Sequence, residues 1–251
     1  MYDERILAQD KGYNVSEKYQ PIPSIEVISE FQRFGWEISS VQAAGVRSLE
    51  KALHQKHMIR MRREEKLFDG ELVPEVIIHN SADGTKALEI HIGVFRFVCS
   101  NGMIAGTHDM QPLKIMHAQT AWMDMVHEYI DTYGQKLEHQ KEIISAMKDR
   151  PMSLDEAYHY AEKVIEARHA DERILMDVVD PLELLVAKRR EDRGDRMWHR
   201  YNILQESGVN GYFHKYDNQG NIRKAKIMTN IDEILRFNKE LSNIFEEGIL
   251  V

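Results

Sequence analysis

Near Thr120 the hydrophobic period of this chain changes from two to between three and four. Before that point the apolar residues alternate. In KALEIHIGVFRFVCS, Leu88, Ile90, Ile92 and Val94 share one parity, and Glu89, His91, Phe95 and Phe97 share the other. Alternation puts one set on each face of a strand. After Thr120, Trp122, Val126, Tyr129, Tyr133, Leu137, Ile144 and Met147 keep helical spacing until Pro151. Such a helix would be about 40 Å long, a strut, an oligomer seam or a helix lying across its own sheet. Strand and helix signals segregated in this order predict an α+β fold. An antiparallel, hairpin-built sheet should fill the N-terminal half. A long helix, a helical bundle and a small hairpin should fill the C-terminal half.

Local signals refine the plan. Residues 1–22 read as an extended, loosely held arm and 23–251 as one α+β domain, sheet-rich over 36–118 and helix-rich over 119–251. Ser24 is placed to cap a helix through IEVISEFQRF, with Gly35 as its stop. EISSVQAAGV, KHMIRMRREE and VPEVIIHN read as strands, and Gly93 as a bulge that swaps faces. Asp83-Gly84 and Asn101-Gly102 are hairpin turn signals, and MIAGT starts a further strand. Ser153 and Glu156 match a capping box. Asp180-Pro181 opens another helix, RREDRGDR breaks the pattern, and MWHRYNILQES resumes it. GYFHKYDNQGNIRKAKIMT reads as a hairpin around Asn218 to Gly220, and Asn230 with Glu233 caps a last helix.

Composition narrows the chemistry. The lone Cys99 rules out an internal disulfide and a CxxC site. No apolar run approaches the roughly 18 residues of a membrane span, and the N-terminus lacks the apolar core of a signal peptide. No membrane association is expected, and a reducing, cytoplasmic setting is. The net charge of −8 argues against whole-surface polyanion binding but leaves room for a local basic stripe. The twelve histidines invite a metal search. His54 and His57 are three apart, and His79, His91, His108 and His117 surround the expected sheet. No HExxH or completing acidic cluster accompanies them, so no metal is expected. No P-loop, GxSxG or dinucleotide fingerprint occurs, so no cofactor or catalytic residue is assigned.

Three basic clusters remain. Arg60, Arg62 and Arg63 lie on one expected strand. Lys188, Arg189, Arg190, Arg193, Arg196 and Arg200 surround the helix break, interleaved with Glu191, Asp192 and Asp195 as intrahelical ion pairs would be. The third combines Tyr212, Phe213, Lys215, Tyr216, Arg223, Lys224 and Lys226 on the C-terminal hairpin. Nucleic acid needs cations for phosphates and flat rings for bases, and only this cluster offers both. The alternative is a solvated hairpin whose rings cover a core edge. Arg96 interrupts an apolar face, which is costly unless the guanidinium is paired. It either meets Glu75, Glu89 or a helix carboxylate, or faces a groove that takes an anion.

Five segments, in this order, carry a resemblance: VSEKYQPIPSIEVI, KHMIRMR, PEVIIHNSADGTKALEIHIGVFRFVCSNGMIAG, MSLDEAYHYAEKVIEAR and YNILQESGVNG. Together they resemble a family of phage, prophage and plasmid proteins catalogued as the 932nd domain of unknown function. Ala82 stands where that family usually carries a histidine, and QES followed by GVNG where it tends toward QEN and a glycine pair. The family-like residues are Asn80, Ser81, Asp83, Gly84, Arg96, Cys99, Asn101, Gly102, Asn202, Gln205 and Glu206. Turn chemistry accounts for Asn80, Asp83, Asn101 and Gly102. Asn202, Gln205 and Glu206 would share one helix face, locking to the Arg96 strand or binding a ligand. The resemblance implies a mobile genetic element acting inside a bacterium.

The expectation is a non-catalytic DNA-binding protein of replication or recombination, working as a homo-oligomer on single- or double-stranded DNA, with single-strand binding or annealing as its specific form. Arg60, Arg62, Arg63, Arg96, Tyr212, Lys215, Tyr216, Arg223, Lys224 and Lys226 would contact the nucleic acid. The alternatives are an inhibitor of a host defence protein, acting through its acidic surface, and a metal-dependent hydrolase or nuclease using Glu206.

Overall fold

The computed structural model describes residues 11–12, 15–43, 54–96, 112–169 and 179–249. Among these the secondary structure is α+β, with an antiparallel sheet followed by helices and a small hairpin. The expected MIAGT strand, the Asn101-Gly102 turn, Cys99 and His108 lie outside the described residues. The described residues through 96 and from 112 to 138 form one compact unit, and those from 139 on form a second.

The first unit is built on five strands in sequential order: β1 (Glu37–Ala43), β2 (His57–Arg62), β3 (Leu72–Asn80), β4 (Leu88–Arg96) and β5 (Leu113–Ile115). Every neighbouring pair is antiparallel. Ile59 and Met61, Val76 and Ile78, and Leu88, Ile90 and Ile92 make one apolar face. It packs on Val27, Ile28 and Phe31 of α1 (Ser24–Arg33) and on Val126, Tyr129 and Ile130 of α2 (Trp122–Asp131). Glu30 of α1 ties the two helices, accepting from His127 Nε2 at 3.0 Å while pairing with Arg33 at 2.9 Å.

Two local expectations are corrected. The register of β3 on β4 runs without a shift from Leu72–Arg96 to His79–Glu89, so Gly93 is not a bulge. The irregularity lies between Ile38 and Ser40 in β1. Ser24 does not cap α1: the N-cap is Pro23, and no side-chain cap bond forms. The Ser24 hydroxyl is held instead by His57 Nε2 at 2.7 Å and by the donating Asn80 amide at 2.9 Å. His57 Nδ1 lies 3.0 Å from the Gln55 carbonyl. This hydroxyl–imidazole pair is interior (Ser24 2% and His57 4% exposed), so no substrate reaches it. With the Asn80 bond it fastens α1 to the start of β2 and the end of β3.

The described residues of the N-terminal segment, 11–12 and 15–22, are held more firmly than their sequence suggests; the rest of the expected arm lies outside the described residues. Gly12 N–H donates to the Ala82 carbonyl at 2.7 Å, and Gln20 N–H to the His117 carbonyl at 2.8 Å. The Tyr19 ring stacks on His117 at 4.8 Å. Ile22 N–H donates to His117 Nδ1 at 3.1 Å, so the ring proton sits on Nε2, 3.1 Å from the Lys86 carbonyl. That arrangement exists only for a neutral imidazole. Burial holds the His117 pKa below the ordinary 6.5, opposed by the Lys86 and Gln20 backbone and by Asp83. The unfolded chain therefore takes up this proton first. The contribution is complete above 6.5 and is lost as pH falls below that value. Urea midpoints should drop between about pH 7.5 and about pH 5.5, and drop less in His117→Asn. An equal drop in both proteins refutes this role for His117.

The expected long helix is interrupted. α2 ends at Asp131, and α3 (Tyr133–Asp149) begins after Thr132. The Thr132 hydroxyl donates to the Tyr129 carbonyl at 2.7 Å, a local bond that competes with the helical ladder. The change of unit falls between Glu138 and His139, within α3.

The second unit holds α4 (Leu154–Arg168), α5 (Met197–Asn210), the two-stranded sheet of β6 (His214–Tyr216) with β7 (Ile222–Lys224), and α6 (Ile231–Glu247). Ser153 caps α4, its hydroxyl accepting from Glu156 N–H at 3.1 Å. The Glu156 carboxylate is taken by Arg150 at 2.6 Å. Asp180-Pro181 opens only a 3-10 turn, Pro181–Leu185, capped by the Asp180 carboxylate. Asn230 caps α6 as expected, accepting from Asp232 N–H at 2.9 Å. Tyr201, Phe245 and Tyr160 stack edge and face in the core between α4, α5 and α6.

Candidate nucleic-acid interface

The hairpin begins where α5 stops. Gly211 closes α5 at φ +64, a left-handed conformation that favours glycine. Three main-chain bonds then fix the root: Tyr212 N–H to Ser207 at 3.1 Å, Ala225 N–H to Phe213 at 2.9 Å, and Met228 N–H to Val209 at 2.8 Å. Phe213 is buried beneath, with the Arg168 guanidinium 5.2 Å over its ring. On the outer side Glu183 accepts from the His214 backbone at 2.5 Å and lies 3.1 Å from its ring.

Register distributes the charges. His214 opposes Lys224, Lys215 opposes Arg223, and Tyr216 opposes Ile222. Opposed residues share a face. Lys215 and Arg223 therefore stand together on one side, and His214, Tyr216, Ile222 and Lys224 on the other. Facing like charges repel. Asp217 relieves one of them, its carboxylate 3.2 Å from Arg223 Nε. The backbone N–H of Asn221 chiefly pulls the Asp217 pKa down to about 2, with the Asn221 side chain, the Gln219 amide and Arg223 adding to it. The turn carboxylate thus stays ionised and shapes the tip.

Tyr212 lies between two ammonium groups, Lys188 and Lys224, each 5.4 Å from its ring centre. Beside the hairpin is a cleft of about 480 Å³, lined by Lys215, Tyr216, Arg223, Lys224 and Lys226. Arg168 from the end of α4, with Thr229 and Glu233 at the start of α6, completes the wall. Arg168 also donates to the Lys226 carbonyl, which ties the strand to α4. Five cations face two carboxylates in this cleft, and one of the carboxylates, Asp217, is already paired. Sequence spacing reveals the hairpin cluster. It does not reveal Arg168, Lys188, Thr229 or Glu233, which come from distant segments.

The other proposed contacts fare differently. Arg60 is buried and bonded to Glu75 at 3.0 Å, so it is not a surface cation. Arg62 meets the other oxygen of the same carboxylate at 3.0 Å. Arg63 lies 6.0 Å over Trp36 and 5.6 Å over Tyr133. The β2 arginines therefore belong to the packing of the first unit. Burial pushes the Glu75 pKa up, and Arg60 and Arg62 pull it back. The backbone of Arg96 pairs with Leu72, while its side chain lies outside the described residues. Two carboxylates considered for Arg96 hold other cations: Glu75 as above, and Glu89 with Lys86 at 2.8 Å and Lys114 at 3.4 Å.

The family-like trio on α5 is internal. The Asn202 amide donates to the Trp198 carbonyl at 2.6 Å, the Gln205 amide to Asn238 of α6 at 3.1 Å, and Glu206 pairs with Arg189 at 2.8 Å. All three are buried, so they lock the second unit rather than face a ligand. The second basic cluster is corrected too. Its pairing is local only in part: Arg196 Nε lies 3.9 Å from Asp195, as the interleaving suggests, while Arg189 reaches Glu206 of α5 and Arg196 also donates to the Asp149 carbonyl at 2.7 Å. Among the described residues, no group of three or more His, Cys, Asp or Glu side chains is gathered as a metal site requires, and no helix is long and apolar enough to cross a membrane.

The fold and site define an α+β protein with a cationic, tyrosine-bearing cleft beside a small hairpin. The chain belongs to the family described as Domain of unknown function (DUF932), which it matches over residues 13–229. It is 25% identical over 238 residues to the UPF0380 protein YfjQ of Escherichia coli (strain K12), covering 94% of this chain and 84% of that protein. The UPF0380 protein YafZ of the same organism matches with the same identity and coverage. No solved structure matches the chain.

Proposed function

We propose that this chain is a non-catalytic DNA-binding protein of a phage or other mobile element, acting in the bacterial cytoplasm as a homo-oligomer. The observation that carries the reading is the hairpin cleft, where Lys215, Arg223, Lys224 and Lys226 line one concavity with the exposed Tyr216. Cations in a concave site attract a polyanion despite a net charge of −8, because fields are local at physiological ionic strength. The mobile-element setting rests on the resemblance of the sequence segments alone.

Binding through four cations should be steeply salt-dependent. Anisotropy of a labelled oligonucleotide should show affinity falling by roughly 50-fold or more between about 50 and 200 mM salt. Lys224→Glu should weaken binding by roughly tenfold at the lower salt, with the thermal midpoint unchanged. Salt-insensitive binding, or full affinity in Lys224→Glu, refutes the reading.

A further inference from the structure

We propose that the hairpin cleft takes one unpaired nucleotide of a single strand, with its base on Tyr216 and its flanking phosphates on Lys224, which shares the Tyr216 face, and on Lys226. This deepens the DNA-binding reading and rests on it.

Three observations converge. The first is size. The cleft of about 480 Å³ falls among concavities that take small ligands. A duplex presents a far broader surface, and its bases are stacked on both faces. An unpaired base alone offers a free face to a protein ring.

The second is an uncommitted ring. Tyr216 is 39% exposed at the cleft. Its side chain makes no hydrogen bond, ring contact or cation contact with any described residue. By contrast Tyr212 already lies against Lys188 and Lys224, and Phe213 against Arg168. The cross-strand neighbour of Tyr216 is Ile222, 57% exposed. A ring beside an aliphatic side chain, both open to water, gains from being covered by a flat apolar surface.

The third is the arrangement of charge. The exposed Lys226 ammonium has no partner among the described residues, and the same holds for the Glu233 carboxylate across the cleft. A cleft made for phosphates alone would exclude Glu233. A nucleotide accommodates both signs, with its phosphate at the ammonium and a base N–H donating to the carboxylate.

The test compares a labelled single strand of about 16 nucleotides, not self-complementary, with the blunt duplex it forms with its complement, by anisotropy at about 50 mM salt. The single strand should bind at least tenfold more tightly. Tyr216→Ala should weaken single-strand binding by about 5- to 150-fold and leave duplex binding unchanged. Tyr216→Phe, which keeps the ring, should bind as the parent does. Tyr216 is exposed, so both variants should keep the parent's melting point. Equal affinity for duplex and single strand overturns the inference. So does full single-strand affinity in Tyr216→Ala while Lys224→Glu still loses binding; there the cleft binds DNA but not through an unpaired base. Binding of neither DNA overturns this inference and the DNA-binding reading together.

Discussion

Replacing Glu75 with alanine is expected to destabilise the sheet-bearing unit by about 3–5 kcal/mol. Glu75 is 2% exposed and meets Arg60 and Arg62, each at 3.0 Å. The Arg60 side chain is itself only 9% exposed. Removing the carboxylate strands a guanidinium inside the protein, where no water can solvate it. The placement follows from register. Glu75 sits opposite Arg62, two residues from the Ile77 that opposes Arg60, and on its other side it faces Gly93. One carboxylate thus lies within reach of both arginines. The double variant Arg60→Met, Glu75→Leu should recover most of the loss, because it removes the buried charge along with its partner. Urea unfolding of the three proteins decides the matter. A loss below about 1 kcal/mol for Glu75→Ala shows that water reaches Arg60, and it contradicts the burial argument.

Gly211→Ala is expected to cost about 2–4 kcal/mol and to abolish DNA binding, because it strikes the junction that sets the hairpin. Two penalties add. The φ of +64 costs an L-residue about 1–2 kcal/mol. An added Cβ would also lie 2.4 Å from the Ala225 carbonyl oxygen and 2.8 Å from that of Lys226. These are backbone atoms of the strand leaving the hairpin, so they move only if the strand moves. Gly220 provides the control. Its φ is +79, but a Cβ there meets nothing within 4 Å. Gly220→Ala should therefore cost about 1 kcal/mol and leave binding intact. Helical circular dichroism should persist in both variants. Equal effects at the two glycines would show that conformation alone matters and that the Ala225 contact does not position the site.

Strand positions were legible because alternation is a local property. Val94, Ile92, Ile90 and Leu88 all fall on buried positions, and the two-residue period survives Gly93. What failed was whatever depends on a distant partner. Ser24 has the right chemistry for a cap, but His57 and Asn80 compete for its hydroxyl. The interruption at Thr132 is silent because helical spacing continues through it. Arg60 and Arg62 look like a basic stripe until the β2–β3 register brings Glu75 opposite. Asn202, Gln205 and Glu206 share a helix face as spacing required. Nothing in that spacing says that Asn238 and Arg189 cover it. The hairpin was readable from its turn residues, Asn218 to Gly220. Its cleft was not, because the opposite wall comes from the end of α4 and the start of α6.

Amide hydrogen exchange with and without a bound single-stranded oligonucleotide tests the placement of the site most directly. Protection should concentrate in the hairpin and in the start of α6, over residues 212–233, and at equal oligonucleotide concentration should be weaker in Lys224→Glu. Protection confined to β2, or to any surface away from residues 212–233, contradicts the assignment of the hairpin cleft as the DNA-binding site.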